Sequence, residues 1–235
     1  MASDRRGSAA PRVAGLCYVA VILLGVAQAS LVSSRMPALD DAEAVVAVLV
    51  DQSLRFRIGA LSDILLYALV LVLAVALYRV VRDVHRPLAL GGLVLRSAEG
   101  VLGLAVTVVG GVGPLFLLSD SVDADPTSIV PLLAVRESGL DAILILVGVG
   151  GALFLYLFFV ARLVPRALAV WGILTYVLVF FLGVLRLLVP GFPNSVSGVL
   201  FAQGALFELI FGLWLVAKAP EIGSRAAGTG PSVMP

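Results

Sequence analysis

Six apolar runs divide this chain, and each is long enough to cross a bilayer. A spanning helix needs roughly 20 mainly apolar residues, since each adds about 1.5 Å across a hydrocarbon layer of about 30 Å. The runs extend from about Val13 to Val32, Phe56 to Val80, Leu140 to Ala161, Ala167 to Val189 and Val196 to Ala217, with another inside Leu88 to Leu118. That last interval is longer than one span needs, which predicts a tilt or a first turn in the interface. The runs are too long for barrel strands and lack their alternation. The expected fold is an all-α polytopic transmembrane bundle of six helices.

Composition agrees. Hydrophobic residues make up 61% of the chain and charged residues 13%, against about 25% charged in a typical soluble domain. Lipid can solvate such an excess of apolar side chains; water cannot. Net charge is +1, so no bulk charge points to nucleic acid as a partner. The expected partner is the bilayer itself.

The Lys and Arg residues predict orientation. One set of flanks holds Arg5, Arg6, Arg12, Arg79, Arg82, Arg86, Arg162, Arg166, Lys218 and Arg225. The other holds Arg35, Arg55, Arg57 and Arg136. This bias places both termini in the cytoplasm. Residues 12–218 form the membrane domain on this reading, with residues 1–11 and 219–235 as disordered, Gly-, Ser-, Ala- and Pro-rich tails. A competing reading takes Val13 to Val26 as a signal-peptide core and Ala27-Gln28-Ala29 as its cleavage site, leaving five helices. The apolar run continues through Leu31 and Val32, which favours a retained helix.

Ionisable residues inside spans are costly, so they normally face the bundle interior and find partners. Counting about 1.5 Å per residue from each helix start sorts them by depth. Arg96, Glu99 and Glu208 fall between the inner half and the middle. Asp63, Asp141 and Arg186 fall in the outer third. Arg96 and Glu99, three apart, share a helix face, and Gly92, Gly103 and Thr107 extend it. Gly204, Glu208 and Gly212 are spaced by four, so a neighbouring backbone can approach the carboxylate closely. Two carboxylates around one guanidinium leave one able to hold a proton near neutral pH. This predicts a buried site for a proton, an ion or a small polar ligand, in a transport-like or binding protein.

A second reading makes the buried pairs register pins in a structural or accessory subunit, whose partner is another membrane protein or a second copy of itself. A third is a membrane-surface enzyme built on His85, the sole histidine. No catalytic set accompanies His85, and no serine sits in a nucleophile motif. One histidine and one cysteine cannot supply a metal site; no metal and no cofactor is expected. Cys17 follows Leu16, which does not suit a lipoprotein signal. Asp63 and Asp141 lack the sequence context of an intramembrane aspartyl protease. Gly110 to Pro114 reads as a kink or an irregular helix end. Trp171 and Trp214 read as interface anchors.

Several segments together resemble the bacterial domain-of-unknown-function 4386 family. They are Arg12 to Tyr18, Phe56 to Gly59 with Asp63, Arg86 to Leu90, Leu95 to Glu99, Leu163 to Arg166, and Glu208 with Trp214 to Lys218. The resemblance covers about residues 12–218. It implies a multi-helix bacterial membrane protein, supports a retained first helix, and carries no catalytic residues across. The chain departs from the family pattern in its fourth helix, where Asp141 stands in place of an expected histidine.

Overall fold

The structure is a computed structural model that describes residues 9–120, 126–189 and 191–228. Nine α-helices account for nearly all of them: α1 (Ala9–Gln28), α2 (Ala42–Asp51), α3 (Ser53–Val81), α4 (Arg86–Thr107), α5 (Gly113–Asp120), α6 (Pro126–Val160), α7 (Arg166–Leu188), α8 (Asn194–Ala217) and α9 (Ala219–Gly228). Two π-helical turns interrupt the pattern. Ala29–Ser33 ends α1, and Val108–Val112 joins α4 to α5. Six helices are long and apolar enough to cross a membrane, and no strand occurs among the described residues. Helices satisfy their backbone polar groups internally, which hydrocarbon demands.

Local sequence explains where the helices begin. Asp41 caps α2 by accepting a bond from the Ala44 N–H at 3.0 Å. His85 caps α4 through Nδ1, which accepts from the Leu88 N–H at 3.2 Å, and Pro87 occupies the first turn, where its missing N–H costs nothing. Pro165 precedes α7. At the end of α6 the chain reverses through Arg162, a non-glycine residue at φ 52°.

The spans follow one another around a ring: α1 packs on α3, α3 on α4, α4 on α6, α6 on α7, α7 on α8, and α8 returns to α1. Glycines set the tightest seams. A Cβ on Gly15 of α1 would lie 2.5 Å from the carbonyl oxygen of Gly212 in α8. Gly148 of α6 meets the backbone of Phe180 in α7, and Gly183 of α7 meets that of Asp141 in α6. Such small-residue contacts let helices associate in lipid, where burial of apolar surface gives no driving force. The α7–α8 seam is looser. A Cβ on Gly204 would have only ordinary contact with Thr175, and Gly198 faces open space.

Two apolar clusters fill the ring. The larger one lies toward the end where α1 begins and α8 finishes, hereafter the terminal end. It includes Leu77, Val81, Phe154, Phe158, Leu163, Phe207, Phe211 and Leu215. The smaller lies at the opposite end, where α2 contributes Val45 and Leu49 against Val32, Phe56 and Leu133. Outward positions such as Leu23, Val94, Leu174 and Val199 are exposed and suit lipid.

Three expectations change. The fourth span starts at Pro126 rather than near Leu140, because Arg136 and Glu137 are carried on the helix instead of ending it. Residues 219–228 are helical rather than a disordered tail: α9 packs on α1 and α8, seating Ile222 in the larger cluster. Trp171 and Trp214 turn inward onto the same cluster, Trp171 meeting Phe207 edge-on at 5.5 Å. Residues 1–8 and 229–235 lie outside the described residues.

Candidate functional site

Arg96 and Glu99 sit inside the ring at the level where α4 passes α6. Their side chains are 2% and 5% exposed, and Arg96 Nη1 lies 2.8 Å from Glu99 Oε2. The guanidinium is threaded between helices at a small residue. A Cβ on Gly150 of α6 would lie 3.1 Å from the Arg96 side chain, tight enough to force a shift. The pair is close but incompletely satisfied. Among the described residues, Arg96 Nε and Nη1 are buried and donate no hydrogen bond of good geometry, and Glu99 Oε2 accepts none. An unsatisfied buried donor normally costs about 1–3 kcal/mol, more when charged.

Glu208 is held differently. Tyr176 of α7 donates a hydrogen bond to Glu208 Oε1 at 2.8 Å. The Tyr176 hydroxyl also lies 3.0 Å from that of Tyr18 in α1, and both rings are buried. Glu208 makes no direct ion pair with Arg96 among the described residues; it interacts with that cation at longer range, as do Tyr18 and Tyr176. Four helices therefore supply one polar core: Tyr18 from α1, Arg96 and Glu99 from α4, Tyr176 from α7 and Glu208 from α8. From α6 the facing residues are Gly150 and Gly151, the latter under the ring of Tyr176.

On the terminal side, aromatic rings close this core. Tyr18 and Phe158 each meet Phe211 edge-on, at 5.4 and 5.5 Å, while Phe207 stacks on Phe211 at 5.5 Å. Phe154 covers Gly92 of α4. The terminal half of the ring is packed with apolar side chains below the charged groups.

The outer residues Asp63, Asp141 and Arg186 were expected as one cluster. The structure separates them into two ion pairs. Asp63 of α3 takes Arg136 of α6, with Arg136 Nη2 donating to Asp63 Oδ2 at 2.5 Å. Asp141 of α6 takes Arg186 of α7, with Nε donating to Oδ1 at 2.6 Å; Arg186 Nη1 reaches Ser197 Oγ at 3.3 Å. The longer α6 explains the change, since it lifts Arg136 out of a loop and into reach of Asp63. Thr175 and Gln203 form one further polar bridge, across the α7–α8 seam, at 2.7 Å.

Sequence reading did not single out Arg136, Tyr18, Tyr67 or Tyr176. Glycines at 204 and 212 do not behave alike around Glu208. Gly212 admits α1, with Tyr18 pressed against it, whereas Gly204 abuts only Thr175 at ordinary distance. His85 is exposed, and its Nδ1 is committed to the α4 cap. Among the described residues no group of three or more His, Cys, Asp and Glu side chains is arranged to hold a metal.

Six spanning helices closed into a ring around buried charges define a multi-pass integral membrane protein. The chain belongs to the family described as a domain of unknown function, DUF4386, whose profile matches residues 13–219. No curated protein and no solved structure matches it.

Proposed function

We propose that this protein binds a proton at a carboxylate–arginine site inside the membrane, in the manner of a transport-like or ligand-binding protein of the bacterial plasma membrane, with both termini cytoplasmic. The observation that carries this reading is the unequal treatment of two carboxylates around one cation. Glu99 contacts Arg96 directly. Among the described residues, Glu208 has only a tyrosine hydroxyl as its hydrogen-bond partner. Fully ionised, the three groups sum to one negative charge, which a low-dielectric interior does not tolerate without a counter-charge. A proton supplies it, and Glu208 is the group free to take it. Glu99 then holds Arg96 in place, while Tyr176 and Tyr18 orient the acceptor oxygen of Glu208.

The competing structural reading draws on the outer pairs. Asp63–Arg136 and Asp141–Arg186 are bonded at 2.5 and 2.6 Å and lock α3 to α6 and α6 to α7. That suits register pins. It does not account for Glu208, which has no ion-pair partner among the described residues. Infrared difference spectra of the protein in lipid, recorded across neutral pH, test the proposal. A protonated-carboxyl band that appears with pH in wild type and vanishes in Glu208→Gln is expected. A pH-independent spectrum would remove proton binding and leave the structural role.

A further inference from the structure

Aromatic rings pack the terminal side of the ring, and a small cavity lies toward the other. A cavity of about 30 Å³ lies at the α2 end, lined by Val32, Phe56, Asp63, Gly110, Gly111 and Arg136 among others. That is room for two or three water molecules, given roughly 10–15 Å³ for each probe centre, and the Asp63–Arg136 pair offers them polar partners. Both π-helical turns of the molecule's described residues reach this one cavity: Val32 belongs to the first, Gly110 and Gly111 to the second. Single π turns inside α-helices concentrate at functional sites. Here the wide turn at Gly110 brings α4 against the α6 backbone, where a Cβ would lie 2.6 Å from the Leu132 carbonyl oxygen and 2.5 Å from Cβ of Arg136. This contact fixes Arg136 where it meets Asp63.

Tyr67 stands one helical turn past Asp63 on α3, toward the buried core. Its ring lies on Gly103 of α4, one turn beyond Glu99, so that any side chain at 103 would occupy the ring's place. Tyr67 sits between Asp63, four residues before it on α3, and Glu99, four residues before Gly103 on α4. Ionisable groups thus descend the ring in order: Asp63 with Arg136, Tyr67, Glu99 with Arg96, then Tyr176, Tyr18 and Glu208.

We infer that protons reach the buried carboxylates from the α2 end alone, through the cavity floored by Asp63–Arg136, with Tyr67 as the relay between that floor and Glu99. The inference rests on the proton-binding reading of the core. In the relay step the Tyr67 hydroxyl oxygen accepts a proton from the cavity side and releases its own proton toward Glu99, so the tyrosine ends unchanged.

A pH jump on the protein in lipid nanodiscs, followed by the carboxyl infrared band, tests the route. Tyr67→Phe removes one hydroxyl and no ring packing, so the fold is retained. The band in Tyr67→Phe should reach the wild-type amplitude but at least tenfold more slowly. Gly111→Cys, made in a Cys17→Ala background, has space for its Cβ, with neighbours at 3.5 and 3.8 Å. Alkylating that thiol with a bulky reagent should slow the band at least tenfold relative to the same variant left unlabelled. A wild-type rate in Tyr67→Phe together with no slowing on alkylation would overturn the route and leave the core site standing. A missing band in wild type would overturn the site and the route together.

Discussion

At residue scale the molecule turns on what each buried charge touches. Removing Arg96 leaves Glu99 buried without its cation. Breaking one side of a buried pair costs about 3–5 kcal/mol, so Arg96→Met should lower unfolding stability by about that amount in a denaturant titration in detergent. Tyr18→Phe deletes one interhelical hydroxyl contact, of a kind worth about 0.6 kcal/mol on average in membrane proteins. A loss of up to about 1 kcal/mol is expected in the same titration, and a far larger loss would mean Tyr18 anchors Arg96 itself. The candidate residues Arg96, Glu99 and Glu208 were visible in the sequence because charges in apolar runs stand out against lipid. Tyr18, Tyr67 and Tyr176 were not, since a tyrosine suits an interface, a core or a lipid boundary equally well. Arg136 was hidden for another reason. Beside Glu137 it reads as a solvated flank, whereas it lies within α6 and pairs with Asp63.

At the scale of elements, the spans were legible from length and hydropathy, and their ends were less so. Terminal residues of helices are set by caps and tertiary partners rather than by apolar content. Ala219–Gly228 shows this: its composition resembles a tail, yet Ile222 finds the larger apolar cluster and the segment folds onto α1 and α8. Lys218 donates to Glu221 there at 2.7 Å, which holds that exposed carboxyl below its ordinary range. The reversal after α6 offers a test. Arg162 occupies the left-handed region that glycine adopts freely, so Arg162→Gly should raise stability by about 0.5–1 kcal/mol. Glycine seams make the opposite forecast. Gly15→Val drives a side chain into the Gly212 backbone and should cost about 1–3 kcal/mol or more, whereas Gly198→Val should be near neutral, because nothing lies within 4 Å of its Cβ position. Thermal unfolding of the two variants side by side checks the contrast.

At the scale of the whole molecule, the ring explains why a short protein can hold charges in its interior. Sequential packing closes only because α8 returns to α1, and Tyr18 on α1 completes the polar core. The order of helices around the ring was not readable from hydropathy, which reports depth but not neighbours. The small-residue contacts carry that information, and they became interpretable only when Gly15 could be matched with Gly212 and Gly148 with Phe180. Depth counting put Asp63, Asp141 and Arg186 in one layer; it could not tell which acid faces which base. The resulting architecture has an aromatic floor, a charged middle and a small, mostly apolar cavity at the α2 end that reaches the Asp63–Arg136 pair. Its central claim is that Glu99 and Glu208 differ in kind: one compensates Arg96, the other is available to a ligand. Unfolding free energies of Glu99→Gln and Glu208→Gln, measured at neutral pH in the same detergent, test this most directly. Glu99→Gln should lose about 3–5 kcal/mol by stranding Arg96, while Glu208→Gln, whose amide oxygen still accepts from Tyr176, should be as stable as wild type or more so. Equal large losses in both variants would contradict the account, because Glu208 would then be structural compensation for Arg96 and no longer free to bind.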